Sequence, residues 1–110
     1  SRIELVPTEK VIARVRNGYA DLQMVTFKYE EGVEHDDLMA IARERIGRGY
    51  DCVIANRGEE RGPDGEQVAW LVDSDGADGA SRMVSKPVIA RRIAEWLQVR
   101  AARADDEAAR

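Results

Sequence analysis

Four side chains in this sequence could act together on a phosphorylated, ring-bearing ligand. Phe27 and Lys28 end one apolar run, and Asn56 and Arg57 end another. Lys28 and Arg57 are suited to phosphate oxygens, Phe27 to stacking on a base, and Asn56 to the edge of a ring or a ribose hydroxyl. Each has an ordinary alternative: Phe27 as plain core, Lys28 and Arg57 as solvated charges, and Asn56 as a turn residue bonding its own backbone. Sharper chemistry is missing from the sequence. It has no phosphate-loop lysine motif, no G-x-G-x-x-G, and no serine or cysteine nucleophile with a plausible histidine base.

The single histidine and single cysteine also bound the chemistry. A zinc site would need an improbable set of carboxylates. His35, among Glu34, Asp36 and Asp37, reads as solvent-facing or capping. Cys52 sits in the apolar run Cys52-Val53-Ile54-Ala55 and reads as a small core hydrophobe, so a reduced, cytoplasmic setting is expected.

What would position these groups is an alternation of helix and strand periods. Val11, Ile12, Val15 and Tyr19 follow Pro7 and Thr8 at helical spacing, which predicts a helix over 8–17. Leu22–Phe27 reads as an interior strand. A helix capped by Asp36 or Asp37 follows, with Leu38, Ile41, Ala42 and Ile46 on its buried stripe. Residues 51–56 form a second strand, and this strand–helix–strand spacing implies a right-handed parallel crossover. In an open sheet of that kind ligands bind beyond the carboxyl ends of the strands, where both polar pairs fall.

The Gly-, Glu- and Asp-rich loop 58–66 leads to a strand over 67–72. The turn 73–80 then leads to a short strand over 82–84, and the pair reads as a hairpin. Ser85 caps a last helix with Pro87 in its first turn and Ile89, Ile93, Trp96 and Leu97 on its buried face. Residues 1–100 read as one unit and 101–110, all Ala, Arg, Asp and Glu, as a frayed charged tail.

With 110 residues the chain suits one modest core, and its net charge of −4 with scattered arginines argues against nucleic acid. No segment is apolar enough to span a bilayer and no signal pattern opens the chain, so no membrane partner is expected. Without an initiator methionine, the sequence fits a piece of something longer.

In order, "MVTFKYEEG", "LMAIARERIGRGYDCVIANR", "GPDGEQVAWLV" and "SKPVIARRIAEWL" resemble the C-terminal part of phosphopantothenate–cysteine ligase. That family includes the synthetase half of the bifunctional coenzyme A biosynthesis flavoprotein. The resemblance runs from about Glu4 to Leu97 and is most specific at Phe27-Lys28-x-Glu30 and Ala55-Asn56. It implies an α/β fold: a partial Rossmann-like domain with a β-α-β parallel core, a β-hairpin and a C-terminal helix. It implies ligation of cysteine to 4'-phosphopantothenate through an acyl nucleotide, with CTP or ATP and Mg2+ as substrate. Positioning and charge neutralisation would drive such a reaction, in keeping with the missing triad.

Carried over by position, the nucleotide-binding residues implied are Pro7, Thr8, Glu9, Lys10 and Phe27, with Arg45 and Arg48 in place of two family lysines; Lys28 and Asn56 join them as nucleotide-binding candidates from the reading of the strand ends. Glu44 is the competing register. The family's Gly-rich first half and its lysine-bearing flap do not match anything here. The resemblance therefore implies a partner, the N-terminal half of the ligase domain in the same precursor or another chain, and no turnover from this chain alone. It also implies a homodimer formed through the strands near 68–72 and 82–84. The alternative is a non-catalytic α/β interaction or oligomerisation module that keeps only the fold.

Overall fold

A computed structural model describes residues 22–76 and 80–109. The helix predicted over 8–17 and the candidate segment Pro7 to Lys10 lie outside the described residues. The described chain runs β1 (Val25–Glu30), α1 (His35–Gly47), β2 (Cys52–Arg57), β3 (Val68–Asp73), β4 (Ser81–Val84) and α2 (Lys86–Ala108). The strands form one sheet in the order β1-β2-β3-β4. β1 and β2 are parallel, in the register Val25↔Cys52 through Glu30↔Arg57. β2–β3 and β3–β4 are antiparallel. The expected parallel core, hairpin and C-terminal helix are all present.

β1 begins three residues later than the β-rich run suggests. Asp51 sets this start: its carboxylate accepts from Met24 N at 2.8 Å and its own N–H donates to Met24 O at 2.8 Å. Ladder pairing therefore starts at Val25 and carries on through the polar residues to Glu30. Among the described residues β1 is the first strand of the sheet, with β2 as its one neighbour, rather than an interior strand.

α1 forms where the apolar residues return at helical spacing, and it is docked by its first turn. The N-cap is Glu34, not Asp36 or Asp37. The two aspartates fall in the first turn, where negative charge faces the positive end of the helix dipole, and Asp37 also accepts from Glu34 N at 3.4 Å. Val33, just before the cap, packs on the cluster that contains Leu38, in the manner of a hydrophobic staple. That cluster is Leu38, Met39 and Ala42 of α1 against Val53, Ala55 and Val72 of the sheet.

The other face of the sheet carries Cys52, Ile54, Ala69, Leu71 and Met83, covered by Ile89 and Trp96 of α2. Leu97 departs from expectation, being 40% exposed. The buried line on α2 runs Ile89, Ile93, Trp96, and Leu97 lies one residue round the helix from it, beyond the sheet. Trp96 is oriented by its indole N–H, which donates to Asp73 Oδ2 at 2.9 Å. Asp73→Ala should destabilise the fold by about 1–3 kcal/mol, because the part-buried indole N–H loses its acceptor, and Asp73→Asn should cost less. Urea unfolding of the two variants separates these outcomes.

α2 continues through Ala108, into the segment read as a charged tail. Alanine and arginine are strong helix formers, and Arg100 and Arg103 tie this half of the helix to the β3–β4 turn. Arg100 reaches Asp75 at 3.1 Å and Ser74 Oγ at 3.0 Å, and stacks over the Trp96 ring 4.8 Å from its centroid. Arg103 also pairs with Asp75. Among the described residues no helix is long and apolar enough to cross a membrane.

Candidate functional site

The carboxyl ends of β1 and β2 lie side by side, as parallel pairing requires, with Tyr29↔Asn56 and Glu30↔Arg57 as partners. Beyond them opens a cleft of about 630 Å³. Its walls come from three places: Tyr29 and Asn56 from the strand ends, Arg61, Gly65, Glu66 and Gln67 from the segment after β2, and Ser85, Lys86 and Pro87 from the start of α2.

The loop that makes one wall is a tied structure, which accounts for its abundance of Gly and acids. Arg61 and Gln67 form a β-bridge, Gly62 N donates to Glu66 O at 2.9 Å, and Glu66 Oε1 accepts from Asp64 N at 2.6 Å. A side chain at Gly62 would press on Val84 Cγ1 and Glu66 Oε1, each 2.7 Å from where its Cβ would stand. Glu60 anchors the loop to the hairpin by accepting from Trp70 Nε1 at 2.8 Å and from Arg82 Nε at 3.2 Å. Burial pushes the pKa of Glu60 up, but these two hydrogen bonds together with the positive charges of Arg82 and Arg57 outweigh it and hold the carboxyl below its ordinary value. The loop after β1 is tied to the loop after β2 by Glu59, which accepts from Gly32 N at 2.5 Å. That bond is the main reason the Glu59 pKa is lowered.

At the start of α2 the backbone adopts a rare conformation. Ser85 has φ +86°, a left-handed value that non-glycine residues seldom take. It is held there by its N–H, which donates to Gln67 O at 2.8 Å, and by its hydroxyl, which accepts from Val88 N at 3.4 Å. The outcome is a helix N-terminus facing the cleft with Lys86 at its mouth, an arrangement that favours an anion.

Of the side chains singled out in the sequence, Asn56 lines this cleft. The others are distributed elsewhere by the pleat and by the path of α1. Phe27 shares a face with Ile54 but is 68% exposed and is not part of the core cluster on that face. Lys28 and Arg57 point to the α1 face. Lys28 pairs with Glu30 at 2.8 Å, while Arg57 donates to Val33 O at 3.3 Å and lies 3.9 Å from Glu59.

Arg45 and Arg48 lie at the opposite end of the sheet. The helix of a β-α-β unit runs back along the strands, so its last turn returns to where β2 starts. Tyr50 N donates to Arg45 O at 3.4 Å there, and Arg48 pairs with Glu44 at 2.5 Å. Arg45 and Arg48 are thus separated from Asn56 by the length of β2. His35 packs against Trp70, with ring centroids 4.5 Å apart. Among the described residues no group of three or more His, Cys, Asp or Glu is placed to hold a metal ion.

Tyr29, Arg61, Gln67 and Lys86 were not legible as site residues. For Tyr29 the signal was available in principle, since it stands two residues beyond Phe27 and hence on the same face. The register that sets it beside Asn56 was not.

The chain is 36% identical over 90 residues to the coenzyme A biosynthesis bifunctional protein CoaBC of Thermococcus kodakarensis, a match covering 81% of this chain. This chain is related to a region of CoaBC. It spans 22% of the length of that relative. The crystal structure of the DNA/pantothenate metabolism flavoprotein from Streptococcus pneumoniae matches the CoaBC-related chain with a TM-score of 0.70 at 24% identity. That match covers 83% of this chain and 40% of the flavoprotein. It establishes a Rossmann-like α/β fold. No family model matches the chain.

Proposed function

We propose that this CoaBC-related chain serves coenzyme A biosynthesis as the C-terminal portion of a phosphopantothenate–cysteine ligase, contributing the nucleotide-binding side of the site. The observation that carries this reading is the cleft at the paired strand ends, where the Asn56 amide faces the N-terminus of α2. The relation to CoaBC supports the pathway. CTP or ATP with Mg2+ is the ligand proposed, as substrate for activating a carboxylate to an acyl nucleotide that the amine of cysteine then displaces. The chain's own part in such a reaction is to hold and orient the nucleotide, with Lys86 and the helix terminus offsetting phosphate charge.

The N-terminal half of the ligase domain is the partner proposed, working in the cytoplasm. A second copy is proposed to pair along β4. β3 cannot serve as an edge for that purpose, because β2 and β4 occupy both its sides.

The reading is tested by calorimetric titration of the chain with MgCTP and MgATP. Binding of one of them is expected, and Asn56→Ala should weaken it about tenfold by removing a side chain able to both donate and accept. Adding the N-terminal half should then give cysteine-dependent release of pyrophosphate. Absence of binding at millimolar nucleotide would favour the non-catalytic module instead.

A further inference from the structure

We propose that Tyr29 is the specificity-determining wall of the cleft, an aromatic platform on which the planar ring of a nucleotide stacks beside the Asn56 amide. The proposal rests on the nucleotide reading above and names a residue which that reading does not use. Tyr29 is 51% exposed, and two contacts hold the tip of its ring. Its hydroxyl donates to Glu31 Oε1 at 2.6 Å, and the tip of the ring lies against Gly58. A Cβ at Gly58 would stand 2.7 Å from Tyr29 Oη and 3.3 Å from Glu31 Cγ, so a side chain there would push the ring out of place.

Parallel register puts Tyr29 directly opposite Asn56 on one face of the sheet, and both line the cleft. A half-exposed aromatic ring held in one orientation loses little freedom when a second ring stacks on it, so the contact is efficient. The neighbouring amide can donate to or accept from a ring edge. Lys86 and Arg61 bring positive charge to the same opening, as the phosphate end of the same ligand would need. Phe27, two residues earlier on the same face, does not line the cleft and cannot share this role.

The test compares ligands with and without a ring: MgCTP and MgATP against magnesium tripolyphosphate, titrated into the wild-type chain, Tyr29→Ala, Tyr29→Phe and Gly58→Ala, with circular dichroism as the folding control. Wild type should bind one of the nucleotides about tenfold more tightly than tripolyphosphate. Tyr29→Ala should abolish that preference while leaving tripolyphosphate affinity unchanged. Tyr29→Phe should keep most of the preference, and Gly58→Ala should lose part of it. If Tyr29→Ala does not fold, Tyr29→Leu takes its place, removing the aromatic face while keeping the bulk.

A Tyr29→Ala variant that retains the wild-type preference for nucleotide overturns the platform and leaves the nucleotide reading standing. Equal weakening towards both ligands overturns it too, by making Tyr29 a structural residue. No binding of either nucleotide by wild type overturns both readings together.

Discussion

Leu38→Ala should lower the stability of this fold by about 2–5 kcal/mol, the largest effect expected of any single truncation in α1. Leu38 is 0% exposed, with Met39, Ala42, Val53, Ala55 and Val72 in the same cluster. Removing its isobutyl group forfeits the transfer energy of the lost carbons and leaves a cavity that strand and helix backbones cannot collapse to fill. A single domain is stable by only about 5–15 kcal/mol, so the midpoint of urea unfolding should fall markedly. Leu97→Ala is the control. At 40% exposure it should shift stability by no more than about 1 kcal/mol. A Leu38→Ala loss as small as the Leu97→Ala loss would mean that α1 is not docked on β2 as described.

The thiol of Cys52 should be nearly inert in the folded protein. Its pKa is pushed up from 9.0 to about 12, first by burial and then by the negative charge of Asp73, with Arg100 offsetting part of the rise. Only the thiolate attacks disulfide reagents. At pH 8 a rise of this size lowers the thiolate fraction about 1000-fold relative to the unfolded chain, before steric exclusion is counted. Labelling by a chromogenic disulfide should therefore be at least about 1000-fold slower in buffer than in denaturing urea. Comparable rates would show that Cys52 is not enclosed between β2 and α2.

The same shift predicts a direction for stability at alkaline pH. Between pH 9 and 12 the unfolded chain releases the Cys52 proton while the folded chain keeps it. The folded state then binds more protons, so stability falls as pH rises through that window. Below pH 9 both states hold the proton and the thiol makes no contribution. Cys52→Ala would remove this particular slope, whatever it costs in packing.

These effects trace back to two kinds of information in the chain. Elements whose residues repeat at a fixed period were legible without coordinates. Cys52-Val53-Ile54-Ala55 is apolar on both faces and became the strand between β1 and β3, with all four residues buried. Leu38, Ala42 and Ile46 recur at helical spacing and face the sheet. Ser85 followed by Pro87 marked the start of α2, and the Asp- and Gly-rich turn marked the hairpin. Local chemistry dictates such features, since side-chain periodicity and backbone restrictions act over a few residues.

Where these elements stand relative to one another is a property of the assembled sheet. The sequence placed Asn56 at a strand end, but only the parallel register made Tyr29 its partner, and only the path of α2 brought Lys86 to the same opening. Arg45 and Arg48 carried the charge expected of a nucleotide site, yet a helix that must return to the start of the next strand takes its last turn to the far end of the sheet. Phe27 and Lys28 are adjacent in the chain and read as one stacking and charge pair, but the pleat turns adjacent residues to opposite faces. Residue type and period therefore determined the α/β fold from sequence alone, whereas tertiary structure decided the composition of the cleft. The physical reason is that strand register and helix direction bring together side chains far apart along the chain, and no local preference encodes those distances.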